Sequence, residues 1–152
     1  MQKTFSSIAR LLFTIMDGND RNIPRSQVDE SIDRYIETLR KAEGYVSSQN
    51  AIFFHFLQPT LFTKQQHNRY DKSLIDMGPP FVSKQSKRKF EVAYPIMIDR
   101  LSSEEYSESL IDAFDQLETS PYLDFCHVNH IGNQIIADRI WSSVKRKLEL
   151  NG

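Results

Sequence analysis

Ala51-Ile-Phe-Phe-His-Phe-Leu57 runs almost continuously apolar and stops at Gln58-Pro59. A short apolar run closed by turn residues suits a strand buried on both faces of a parallel sheet. Upstream of it, Val28, Ile32, Tyr35, Ile36 and Leu39 recur on one helical stripe, while Asp29, Glu30, Arg34 and Glu37 fall elsewhere. Gly44 stands where a C-terminal cap is expected, so the stretch from Ser26 reads as an amphipathic helix. A helix feeding a buried strand is half of a βαβ repeat, which makes the fold class α/β.

Downstream, Thr63 to Ser83 holds turn residues and Gly78-Pro79-Pro80 without a period, and reads as a long surface loop (63–83), the kind of segment that serves as a lid or insertion. Phe90, Ala93, Tyr94, Met97, Ile98 and Leu101 mark a second helix, with Pro95 as a kink. Ser103 to Leu117 carries two readings. Tyr106, Leu110, Phe114 and Leu117 fit a helix, and Ser109 to Phe114 fits the next strand. Ile131, Ile135, Ile136, Ile140, Val144 and Leu148 outline a long closing helix, on which Trp141 reads as a packing residue. In the first 25 residues, Ile8, Leu11, Leu12 and Ile15 allow a helix, and Leu11 to Met16 equally a short strand, before the polar turn Asp17 to Pro24.

The chain of 152 residues is long enough for one domain. With 39% hydrophobic residues, 26% charged residues and a net charge of -1, its composition is that of a globular protein and not of a disordered tail. The same balance speaks against a nucleic-acid partner, because gripping phosphates nonspecifically needs a basic excess. The one basic cluster, Lys84 to Lys89, reads as a solvated helix face. Cys126 is the only cysteine, so no internal disulfide forms, and a reducing, cytoplasmic setting is the simpler expectation. Arg10 interrupts the early apolar stretch, so no signal peptide is expected, and no run approaches the length of a membrane span.

Chemistry concentrates in Tyr122-Leu-Asp-Phe-Cys-His-Val-Asn-His-Ile-Gly-Asn133, just ahead of the last helix. An imidazole acting as general base needs its second nitrogen held by an acceptor, which fixes the tautomer and stabilises the imidazolium formed later. Asp124, three residues before His127, can supply that acceptor within one loop. Asn129 is a candidate N-cap for the helix that follows. The bland alternative is that Asp124 and His127 merely cap a turn. A metal centre from Asp124, Cys126, His127 and His130 has the right ligand types for zinc, but adjacent Cys126 and His127 are awkward for one tetrahedral ion, and neither a metal nor a cofactor is expected. His55, alternating with Phe54 and Phe56, reads as a hydrogen-bonded core histidine. Gln58, where the strand ends, suits a structural or a substrate-contacting role equally.

Asp124-x-x-His127 with Gly132, then Ile136-Ala137 and Ile140, resembles the last conserved block of the SGNH (GDSL-type) hydrolases, and Phe53-Phe-His-Phe-Leu-Gln-Pro-Thr-Leu61 looks like the strand and following loop of some members. The resemblance covers Val28 to about Lys147. It implies a three-layer α/β/α sandwich with a short, mostly parallel sheet, and a serine esterase that removes acyl groups from a sugar or lipid ester through an acyl-enzyme. His127 would then be the base and Asp124 its orienting partner. The family's nucleophile lies in a Gly-Asp-Ser motif, and that tripeptide is absent from the chain. The family's Gly-x-Asn-Asp motif is approached only by Asp17-Gly18-Asn19-Asp20, so Asn19 reads either as an oxyanion donor or as part of an ordinary turn. The expectation is a single domain over 1–152 that is the C-terminal part of such an esterase and inactive by itself, pairing through a sheet edge with a missing N-terminal half. The competing expectation is a non-catalytic binding or scaffold half-domain completed by another chain.

Overall fold

The computed structural model describes residues 24–78 and 84–150, so the readings placed on Ile8 to Asp20, Asn19 included, lie outside the described residues. Within them the chain is α/β: four helices and a two-stranded parallel sheet. Helix α1 spans Arg25–Ser48, strand β1 His55–Leu57, a 3-10 turn Leu61–Thr63, helix α2 Arg69–Met77, helix α3 Lys84–Leu101, strand β2 Ser107–Ser109 and helix α4 His130–Leu150. The strands pair in the register His55 with Ser107, Phe56 with Glu108 and Leu57 with Ser109.

Val28, Ile32, Tyr35 and Ile36 are the buried residues of α1, on the expected stripe. The helix does not stop at Gly44. It continues to Ser48, and Asn50, at φ 55°, supplies the left-handed residue after its end. A Cβ at Gly44 would meet nothing within 4 Å, so this glycine answers no steric demand. The apolar run at Ala51 yields only three residues of strand, because Ala51 and Ile52 are exposed and find no neighbour to pair with among the described residues.

Two other expectations need correction. The segment 63–83 contains α2, whose start is fixed by a reciprocal capping box: Asp71 N–H donates to Asn68 Oδ1 at 2.9 Å, and Asn68 N–H donates to Asp71 Oδ2 at 3.0 Å. Nine residues are too few for a clear apolar period, so the cap and not the stripe was the available signal. Ser103 to Leu117 is neither continuous helix nor a strand over Ser109 to Phe114. β2 occupies Ser107–Ser109, and turns carry Leu110 and Phe114 inward. Pro95 lies inside α3, as read.

Side-chain alternation assigns the sheet's two faces to different helices. His55 and Leu57 face the main core, where Val28, Ile32, Tyr35 and Ile36 of α1 meet Phe90, Ala93, Tyr94, Met97 and Leu101 of α3. The flanking Phe54 and the β2 residue Glu108 meet α4 instead: Lys147 Nζ sits 5.5 Å from the Phe54 ring centroid, and Arg146 pairs with Glu108 at 3.3 Å. Trp141, expected to pack, is 64% exposed. Helical spacing alone did not distinguish it from its neighbours on α4.

A second, smaller core gathers Leu61, Leu74, Phe114 and Tyr122, with Ile135 and Ile136 of α4 packed against it. Lys64 and Asp71 are sealed beside α2, their side chains 1% and 0% exposed and Nζ 2.6 Å from Oδ2. Phe125 touches both cores. Its ring lies 5.9 Å from Phe62 and 5.6 Å from Phe90, one residue after Asp124.

Candidate functional site: the Asp124–His127 loop

The loop from Pro121 to Asn129 is closed at its base by the backbone. Leu123 N–H donates to His127 O at 2.8 Å and Asn129 N–H to Pro121 O at 2.8 Å, around an antiparallel bridge between Tyr122 and Val128. Asn129 caps α4 as expected, its Oδ1 accepting from Gly132 N–H at 3.0 Å. Gly132 is required by closeness: a Cβ there would stand 2.7 Å from Val128 Cβ and 3.0 Å from Pro121 Cβ.

Two contacts fasten this loop to the segment that follows β1, and a third holds that segment to α3. Leu61 N–H donates to Phe125 O at 2.8 Å, and Gln58 Nε2 donates to Cys126 O at 3.0 Å. Tyr94 Oη of α3 donates to Gln58 O at 3.2 Å, fixing the other side of that junction. Of the two roles open to Gln58, the structure shows the structural one. The loop therefore sits at the carboxyl end of a parallel strand, where open α/β sheets place their ligand sites.

Within the loop the Asp124 carboxylate is divided between two tasks. Oδ1 accepts from the backbone N–H of Cys126 at 2.8 Å and of His127 at 2.7 Å, while Oδ2 stands 2.6 Å from His127 Nδ1. Partial burial pushes this carboxyl up, but the two amides and the imidazole outweigh that effect and hold it below its ordinary range, so it is ionised at neutral pH. With a carboxylate against Nδ1, the proton of a neutral imidazole belongs on Nδ1, and Nε2 is left as the basic nitrogen. The His127 side chain is 76% exposed, so the ring is accessible.

The Cys126 Sγ lies 3.7 Å from His127 Nδ1, and burial together with the Asp124 charge pushes its thiol up to about 12. Cys126 is a protonated thiol and no nucleophile at neutral pH. Asp124, Cys126 and His127 form a group whose ligating atoms all lie within 4.8 Å of one another, and His130, exposed at the start of α4, does not join it.

No protein-family model, no curated protein and no solved structure matches the chain.

His55 is confirmed as a core residue. Its Nε2 lies 2.8 Å from Tyr35 Oη and its Nδ1 2.8 Å from Ser107 Oγ, and burial lowers its pKa. His67 bonds through Nε2 to the Leu61 carbonyl at 2.7 Å. The buried Lys64–Asp71 pair beside α2 had no apolar pattern or motif to announce it in the sequence. No helix among the described residues is long and apolar enough to cross a membrane.

Proposed function

We propose that this chain carries the acid–base half of a serine esterase of the SGNH type, with His127 as general base, Asp124 as the residue that orients it, and an acyl ester of a carbohydrate or lipid as substrate. The observation that carries this reading is the 2.6 Å contact between Asp124 Oδ2 and Nδ1 of an imidazole three-quarters exposed. A residue that merely caps a turn has no need of its second carboxylate oxygen on a histidine ring. Here the cap is already complete on Oδ1. Nε2 is thereby free to take a hydroxyl proton during attack on an ester and to return it to the leaving alcohol.

The hydroxyl itself comes from outside these 152 residues in this proposal, since the chain lacks Gly-Asp-Ser. The short parallel pair β1 and β2 with helices toward both faces is compatible with part of a three-layer sandwich, and further strands would extend it. The test is complementation. The chain is joined or mixed with an N-terminal segment of an SGNH hydrolase that bears Gly-Asp-Ser, and hydrolysis of a short-chain ester is followed. Turnover is expected, with His127→Ala and Asp124→Asn each lowering kcat by on the order of 10⁴-fold, and His130→Ala leaving it unchanged. A complemented protein that turns over equally well without His127 refutes the assignment.

A further inference from the structure

We propose that Asp124, Cys126 and His127 form a binding site for a zinc-like divalent metal ion, and that metal there takes His127 out of service as a base. The binding claim stands on donor geometry alone, and the consequence for the base rests on the function proposed above.

Adjacent residues in an extended chain point apart, which is why the sequence speaks against a Cys-His pair on one ion. The turn at Asp124 removes that objection. The amides of Cys126 and His127 both fold back onto the Asp124 Oδ1, and the fold brings the Cys126 sulfur to 3.7 Å from His127 Nδ1. Two ligands of a tetrahedral zinc, at about 2.3 Å for sulfur and about 2.0–2.1 Å for nitrogen, stand roughly 3.6 Å apart, so this pair is already spaced for one ion. The third donor is the Asp124 Oδ2, 2.6 Å from the same nitrogen because a proton lies between them. A metal replacing that proton needs the pair to open to about 3.3 Å, a movement the exposed His127 ring is free to make. Oδ1 keeps its two amides meanwhile, which orients the carboxylate as a supporting hydrogen bond does in a metal site.

Protein supplies three ligands, and a water completes the tetrahedron. The proton balance follows from the groups. Binding expels the thiol proton of Cys126 to solvent, because sulfur binds zinc as the thiolate. The imidazole stays neutral, its proton leaving Nδ1 and reappearing on Nε2. An Nε2 that bears a proton cannot accept another, so metal occupancy and base catalysis are mutually exclusive at this residue.

The test uses the full chain under a phosphine reductant, titrated with Co²⁺ and then with Zn²⁺. One ion per chain is expected, with a near-ultraviolet thiolate-to-cobalt band that Zn²⁺ abolishes. Cys126→Ser and His127→Ala are expected to weaken Zn²⁺ binding by at least the roughly 10–100-fold that loss of even a supporting group costs, and His130→Ala to leave it unchanged. Nitrogen-15 spectra of the His127 ring are expected to show the proton moving from Nδ1 to Nε2 as Zn²⁺ is added. Absence of the thiolate band, or Zn²⁺ binding as tight in Cys126→Ser as in the parent chain, overturns the site. Metal binding with the proton still on Nδ1 overturns the inhibition. None of these readouts requires turnover, so failure of the esterase reading is recognised separately, in the complemented enzyme without metal.

Discussion

Replacing Lys64 by Met tests the energetics of the buried ion pair beside α2. Lys64 Nζ and Asp71 Oδ2 are 2.6 Å apart with side-chain exposures of 1% and 0%. Lys64→Met therefore leaves a carboxylate in the interior without its cation, supported only by the Asn68 backbone amide and the neighbouring Ser120 side chain. Breaking a buried pair from one side costs about 3–5 kcal/mol, chiefly the penalty of the abandoned charge. At a urea slope near 1.5 kcal/mol per molar, typical of small domains, the midpoint falls by roughly 2–3 M. The pH dependence carries the sign. Burial pushes Asp71 up, but Lys64 and the surrounding hydrogen bonds outweigh it and hold the folded pKa below its ordinary value. In the parent chain the pair's stabilisation is therefore complete above the unfolded carboxyl pKa, near 4, and is lost as pH falls through the folded value. In Lys64→Met burial is expected to outweigh the remaining hydrogen bonds and raise the folded pKa above the unfolded one, so that the variant is relieved of its penalty as pH falls. The two urea midpoints are expected to converge between pH 7 and pH 4. A second replacement, Asp71→Leu on top of Lys64→Met, is expected to recover part of the loss, the unrecovered part being about 1 kcal/mol for the α2 cap. A midpoint shift under about 0.5 M for Lys64→Met at pH 7 would refute the reasoning, since it would mean that water reaches the carboxylate.

Three further outcomes follow from particular contacts. His55, buried with a lowered pKa, contributes stability that is present above the unfolded histidine pKa of about 6.5 and is lost as pH falls toward the folded value, so the parent chain is expected to lose stability below that pH more steeply than His55→Phe in parallel urea titrations. Gly132→Ala drives a methyl to within 2.7 Å of Val128 Cβ, and thermal melts are expected to show a cost of about 1–3 kcal/mol with the Asp124–His127 contact disturbed in the ring nitrogen spectra. Trp141→Ala, on a side chain 64% exposed, is expected to change stability by less than about 0.5 kcal/mol, and a larger loss in the same melts would show that the ring is covered in solution.

The sequence disclosed what a period or a local hydrogen-bonding rule encodes. The stripe of α1, the closing helix, the capping Asn129 and the Asp124–His127 spacing each depend on neighbours a few residues apart, and each was legible. What depends on distant partners was not. β1 is shorter than its apolar run because pairing is set by β2, some fifty residues on, and β2 itself is Ser-Glu-Ser, a strand with no apolar residue to mark it. α2 escaped notice because its definition lies in Asn68 and Asp71 and not in a stripe. Gly44 was misleading for the opposite reason: glycine is permitted inside a helix at modest cost, and Asn50 took the left-handed position. At the site, the Gln58 clamp on Cys126 O and the fold that brings Cys126 Sγ to His127 are properties of the turn as built, invisible in residue order.

The position of the second core gives these observations one cause. The loop holds a carboxylate on an imidazole whose ring stays in solvent, and its anchoring comes from the residues beside that ring. Tyr122, 1% exposed, anchors one strand of the loop against Phe114, at 5.3 Å between centroids. Phe125, between Asp124 and Cys126, ties the tip to Phe62 and Phe90. Within the loop Tyr122 and Phe125 are thus turned into packing, while the His127 side chain is left 76% exposed. This arrangement separates two effects that mutation usually mixes. Phe125→Leu is expected to lower stability by about 1–2 kcal/mol and to lengthen the Asp124–His127 contact, whereas Asp124→Asn is expected to shift the His127 proton between ring nitrogens. If Phe125→Leu left the ring nitrogen spectrum of His127 untouched while destabilising the chain, the loop would be held by its backbone clamps alone, and the aromatic cluster would be core and nothing more.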